Sequence, residues 1–433
     1  MQKKREGDSL TMIEVRFILF MLLSIPLLAE FNVEGHIDIT SQFYPLKPRE
    51  KEGENFTAAA VLKSKYEADD FMFNIALKAQ QDYYDLAEES KHTDRSFVRI
   101  DELYMQYEFE DDAVSFGKSI KFWGALEVDN ISDTFNLVDF RSDPFSNDKM
   151  GSWNFTYTHY SDDGEFNAIV KFYEQDREMS AYPYVYYYFP KDIAISATAS
   201  LPLEYDKRVI TKNSQYTPTL YLKYSASKEG EYPLDYAFIL QRGYDSQRYF
   251  TTKLSADGEK FITQERAYEV NKLTTYATVV ANSTLYKIEA LYCDVIDDES
   301  VGDYMHIGVG VEHTLTQVYK EADLGLLAEY YRYVTFQKDK FDDLDLYEIF
   351  ENDLFLGLRY SFNNGDDASI VGGAIVDLEY DESLYYVKYE SRIAELFKIK
   401  TDFRYIEPSK KHLTSFHYMG RHERFMVELS YYF

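Results

Sequence analysis

The sequence carries a single cysteine, Cys293, among 433 residues, which excludes an internal disulfide and a thiolate-ligated zinc site. Its eight histidines show no paired metal-ligand spacing, so no metal is expected. Positive charge is scarce, with 46 Lys and Arg against 75 Asp and Glu and a formal net charge of −29. A nucleic-acid binder needs a basic surface to neutralise phosphates, so no nucleic-acid partner is expected. There is no phosphate-cradling glycine loop, no Gly-x-Ser-x-Gly elbow and no His-Glu-x-x-His helix, so the chain is not read as an enzyme and no cofactor is expected. Long apolar runs are missing except at residues 17–29, just after Arg16. That run is too short to cross a bilayer as a helix and has the layout of a secretory signal peptide. Residues 1–29 are expected to be the signal peptide, with Met12 as an alternative start, and residues 30–433 the exported domain.

Aromatics are abundant, with 41 Tyr and 31 Phe, and they recur with period two. Trp153, Phe155 and Tyr157 alternate with Asn154, Thr156 and Thr158, the pattern of a strand with one apolar and one polar face. Phe166, Ala168, Val170 and Phe172 repeat it after the turn signal Ser161-Asp162-Asp163-Gly164, giving a hairpin. The same alternation returns at Leu220 to Tyr224, Tyr286 to Tyr292, Met305 to Val311 and Leu354 to Tyr360, and it ends on Phe425, Val427, Leu429, Tyr431 and Phe433.

A soluble sandwich would place Val, Ile and Leu on this face and leave the other freely charged. Here the rings gather toward strand ends, as in the aromatic girdles at two membrane interfaces. A sheet in lipid has to close, because an open edge would leave backbone groups in hydrocarbon without a partner. The fold class expected is therefore all-β: a closed antiparallel transmembrane β-barrel of 16–18 strands, with both termini on the side of the short turns. Residues 192–216 and 410–422 are open between strand and loop. Long connections are expected near residues 123–150, 175–191 (or on to 216), 243–265 and 336–352.

Residues 117–151 contain Gly117-Lys118, then Trp123-Gly124, then Asp133, Asn136 and Asp139 in the spacing Asp-x-x-Asn-x-x-Asp. This resembles the strand-to-loop signature of a family of porin-like outer-membrane β-barrels whose members share no agreed substrate. Leu137 stands where a Pro often follows the Asn. The resemblance covers under a tenth of the chain and implies the barrel class. The terminal Phe433 pattern resembles the signal by which such barrels are recognised by the barrel-assembly machinery.

The chemical candidates are weak by comparison. His159-Tyr160-Ser161 invites comparison with an outer-membrane lipase, but Asp162-Asp163 stand where that motif needs Asn-Gly, and the residues read as ordinary strand-end positions. The acidic stretch at 339–353 lacks the EF-hand glycine and spacing and reads as a solvated outer loop meeting divalent-bridged lipopolysaccharide, with oxygen ligation of calcium as the alternative. The tyrosine-rich run at 182–190 reads as an interfacial ring cluster, with a stacking track for sugars or apolar solutes as the alternative.

The function expected is a porin-like channel of the bacterial outer membrane, monomeric or homotrimeric, passing small hydrophilic solutes by diffusion. A selective channel for a hydrophobic or carboxylate nutrient and a non-conducting adhesin or structural barrel are the alternatives. The loop from Gly124 to Lys149 is expected to fold into the lumen as a constriction, presenting Glu127, Asp129, Asp133, Asp139, Arg141 and Asp143. Pore-lining cations are expected at Lys171, Lys223, Arg359, Lys398, Lys400 and Arg404. The inward faces come out mixed and slightly basic, with a basic ladder at Lys398, Lys400 and Arg404, so most of the negative charge is expected on loops and turns.

Overall fold

The computed structural model describes residues 31–46, 53–87, 92–182, 184–187, 189–296, 298–336, 349–412 and 414–433. The expected signal peptide lies outside them, as does most of the acidic stretch at 339–353.

Eighteen strands form one sheet, each paired antiparallel to its neighbours. The first, Phe31–Phe43, pairs with Glu54–Ala68 on one side and with the last, His422–Tyr432, on the other. Gly35 and Phe433 exchange both backbone hydrogen bonds at 3.0 Å, so the chain's final residue completes the ladder. Closure gives each barrel strand a neighbour on both sides, which is the condition for a sheet to stand in hydrocarbon. At the end holding both termini, strands are joined by tight turns. Asp69, Glu110, Asn282 and Lys320 take φ of 48°, 55°, 54° and 53° there, the left-handed geometry that matches hairpin twist.

The alternation sorts the side chains as expected. Leu220, Leu222, Phe238, Leu240, Leu356, Leu358, Phe425 and Leu429 are exposed on the outer face, while Asn154, Thr156, Gln241 and Glu289 between such positions are buried. Covering each large apolar side chain with lipid is worth about 2 kcal/mol, so this surface demands an apolar surround. The barrel is a transmembrane one.

The long connections lie at the other end. Those at 172–218 and 245–268 build a separate five-stranded sheet from Asp192–Ala194, Ser200–Tyr205, Ile210–Thr211, Tyr249–Leu254 and Phe261–Ala267. Arg248 ties these connections together by reaching Glu174 at 2.5 Å and Glu265 at 2.6 Å, with Arg177 on Glu265 at 2.7 Å. Residues 192–216 therefore add no barrel strand. Neither does the segment at 410–422, which holds a five-residue helix, Ser415–Met419, capped by Thr414 accepting from the His417 amide, before the last barrel strand begins at His422.

The outer half of the interior is a packed core. Inward residues Tyr304, Tyr331, Tyr333, Phe355, Leu384 and Ile406 meet loop residues Tyr184, Val185, Tyr186, Phe350 and Phe416 in one buried cluster. This corrects the reading of the tyrosine-rich run as an interfacial ring cluster. Tyr184 and Tyr186 are 3% and 5% exposed, stacked edge-on with each other and, through Tyr186, with Tyr44 and His422. Their segment turns into the barrel mouth, where rings are removed from water by other rings instead of by lipid.

Candidate pore and its inward loop

The connection between strands Asp112–Ser119 and Ser152–Ser161 enters the lumen. Asn136 ties its two ends together: its Nδ2 donates to the Met150 carbonyl at 2.9 Å and the Ser119 carbonyl at 3.1 Å, and its Oδ1 accepts the Lys121 amide at 2.8 Å. Trp123 and Phe135 pack on Tyr221, with ring centroids 5.7 and 5.3 Å away, over wall residues Ile169 and Ile239. One limb then hangs from two wall carboxylates. Glu289 accepts the amides of Ala125, Leu126 and Ser132, and Glu329 accepts those of Glu127 and Val128 at 2.8 and 3.1 Å. Gly124 takes φ +115°, and a Cβ there would lie 2.7 Å from both the Asn130 side-chain oxygen and a Glu289 oxygen, so only glycine lets the backbone approach.

The other limb is held by its own carboxylates. Asp143 pairs with Arg404 at 2.7 Å and with Arg424. Asp148 pairs with Lys78 at 2.7 Å and Arg99 at 2.8 Å, and Asp139 with Arg99 and Arg141. Burial pushes the Asp143 carboxyl up, but Arg404, Arg424 and the Phe145 amide outweigh it and hold the group well below the usual carboxylate range. Asp148 is lowered in the same way, burial being outweighed by Lys78 and Arg99. Lys149 pairs with Asp133 inside the loop, and burial drives that lysine down and that carboxyl up, both toward neutrality. At the loop's base, burial and then the nearby Lys223 charge lower Lys121 to about 8.

Between this limb and the wall lies a cavity of about 1000 Å³. The wall side is mixed, with Lys78, Lys388, Lys400, Arg404 and Arg424 beside Asp38, Glu390, Asp402 and Glu428; the loop side carries Glu127, Asp129, Asp133, Asp143 and Asp148 with Lys149. An apolar side made by Phe145, Phe350, Ile375, Leu384 and Tyr386 completes it.

Of the expected constriction residues, Glu127, Asp129, Asp133 and Asp143 reach this cavity. Asp139 is fully buried and Arg141 is spent on it. Among the expected pore-lining cations, Lys400 and Arg404 line the cavity, while the other four point inward without lining it, although Arg359 and Lys398 pair with its carboxylates Glu127 and Glu390. Lys171 is buried against Glu174 at 2.9 Å, Lys223 donates to Ser225 at 2.8 Å, Arg359 bridges Glu127 and Glu312 at 2.7 Å each, and Lys398 pairs with Glu390 at 2.9 Å. Lys398, Lys400 and Arg404 share one inward face, but Asp402 stands between the last two and each cation is paired, Lys400 with Glu428 at 2.7 Å and Arg404 with Asp143.

Sequence reasoning missed Lys78, Arg99 and Glu329. Arg99 is hidden by a β-bulge: Leu77 pairs with Ile100 and Ala76 with Glu102, so Asp101 is an extra residue and Arg99 and Glu102 face the same way. Glu329 is hidden because its strand, Ala322–Thr335, is apolar on both faces, with Leu327, Tyr331 and Tyr333 also inward and buried. At the suspected lipase motif, His159 contacts Asp112 at 2.9 Å and the Ser161 hydroxyl donates to the Gly164 carbonyl at 2.8 Å, so the serine is committed to its turn.

No family model matches the chain, and no curated protein matches it. Solved structures share its fold. OccAB3 of Acinetobacter baumannii superposes with a TM-score of 0.54 at 10% identity, covering 93% of this chain and 99% of that one. OccK3 (OpdO) of Pseudomonas aeruginosa does so with 0.52 at 7%, covering 93% and 96%, and OccAB2 of A. baumannii with 0.51 at 9%, covering 93% and 98%. At such identities the likeness is one of fold, and it establishes the closed 18-stranded barrel on which the loop and its cavity are mounted.

Proposed function

We propose that this chain is an outer-membrane channel through which small hydrophilic solutes diffuse passively, with the inward loop setting the bore. The observation that carries this reading is the loop's course across the lumen, its carboxylates facing the cations of the last barrel strands. Opposed charges across a narrow passage orient dipolar solutes and tune ion preference. The lipid-facing wall supports residence in the outer membrane, with lipopolysaccharide and the assembly machinery as partners, as a monomer or a homotrimer.

The packed rings of the outer half favour a second reading, a narrower and selective channel for a hydrophobic or carboxylate nutrient. A non-conducting surface barrel is the third. A planar-bilayer recording of the purified protein separates them. General diffusion gives steady conductance that rises when residues 128–146 are deleted; the selective reading gives small conductance blocked by its solute; silence in both proteins leaves the surface barrel.

A further inference from the structure

We propose that Glu289 and Glu329 are the positioning residues of the bore: the wall supplies two anions, and the loop's backbone amides bind them. The inference rests on the channel reading above.

Residues 125–128 and 132 turn their N–H groups outward toward the wall, making a concave donor surface of the kind that elsewhere binds free anions. Here the guest is internal. Glu289 is fully buried, has no ion-pair partner among the described residues, and takes its stabilisation from the Ala125, Leu126 and Ser132 amides. Glu329 takes the Glu127 and Val128 amides and the Tyr331 hydroxyl at 2.7 Å, while Tyr331 accepts the Asp129 amide at 3.1 Å. The two carboxylates stand on strands Thr284–Ile296 and Ala322–Thr335, separated by one intervening strand, so together they fix both the depth and the tilt of this limb. A hydrogen bond to a charged acceptor is about twice as strong as a neutral one, and five amides left without acceptors in a buried site would each carry a desolvation cost. Side chains hold the limb as well, with Leu126 and Ile131 buried in the core cluster and Glu127 paired with Arg359, while Gly124 allows the close approach because a Cβ there would collide with Glu289.

The test compares the full barrel with Glu289→Ala, Glu329→Ala and the double variant, each first checked for heat-modifiable gel migration. Amide exchange is followed at residues 125–132 and single-channel conductance is recorded in parallel. In Glu289→Ala, exchange at Ala125, Leu126 and Ser132 should quicken at least about tenfold while the strand amides keep their protection. Conductance should rise, about twofold in the double variant. Glu289→Gln, which keeps one acceptor oxygen, should fall between wild type and Ala, and it supplies the same comparison if the Ala variant does not assemble. Unchanged exchange at those three amides overturns the proposal, as does faster exchange with unchanged conductance. A wild-type barrel that never conducts fails the channel reading instead, and the exchange data then still decide whether the two carboxylates hold the loop.

Discussion

Arg424, on the last barrel strand, is ion-paired inside the lumen with Asp143, 281 residues earlier in the chain. Arg424 also pairs with Asp402, and Asp143 with Arg404, so four charges from the loop and two adjacent strands neutralise one another. Such a cluster is costly to break on one side, since the remaining charges stay buried.

Asp143→Ala should therefore undock the second limb of the loop at a cost of about 3 kcal/mol, leaving the barrel assembled and the bore noisier and more anion-preferring. The carboxyl's folded value is lowered, so its contribution is complete above the ordinary value near pH 4 and is lost only as pH falls through the lower folded one. The pairing of Asp143 with Arg404 and Arg424 should accordingly hold this limb docked from pH 7 down to about 4. A variant indistinguishable from wild type in noise and selectivity would show that Asp143 does not pin the loop.

Lys121 should make ion preference depend on pH on the alkaline side. Burial, reinforced by Lys223, lowers it to about 8, so it is charged at pH 7 and neutral at pH 9. Reversal potentials in a salt gradient should shift toward cations over that interval, and Lys121→Met should abolish the shift. Because the unfolded chain holds this proton up to about pH 10.4, unfolding should also become harder as pH rises from 8 toward that value.

Lys388 is the cation whose removal should matter most to selectivity. It lines the cavity and has no ion pair or hydrogen bond among the described residues, its ammonium lying 5.2 Å from the Tyr386 ring centroid. Lys400 faces the same space but is held by Glu428 at 2.7 Å. Lys388→Gln should move the reversal potential toward cations more than Lys400→Gln does. The opposite order would mean that pairing on the wall does not screen a cation from the solute.

Gly124→Ala should leave the barrel folded but prevent the first limb from seating, because the new methyl meets a Glu289 oxygen at a backbone angle that L side chains rarely adopt. A raised, unsteady conductance with normal heat-modifiable migration is the expected result. Migration like that of the unfolded chain would place the glycine's role in assembly instead.

The barrel was legible in the residue order because a strand's period and the partition of its two faces are local properties. Leu220, Leu222, Phe425 and Leu429 announce the lipid side within a few residues of themselves, and Glu289 between Ile288 and Ala290 announces the lumen. The expectation of an inward loop rested on its opposed charges. What Glu289 does inside the lumen was not, since its three amide partners lie 157 to 164 residues away and meet it only once the sheet has closed. Arg99 was lost to a single extra residue at Asp101, which inverts the face of everything before it. The tyrosine run at 182–190 was misplaced because an aromatic ring is stable in a membrane interface or in a packed core alike. The route of the connection chose the core, and that route is set by contacts with Tyr44, Phe145 and His422 from distant parts of the chain.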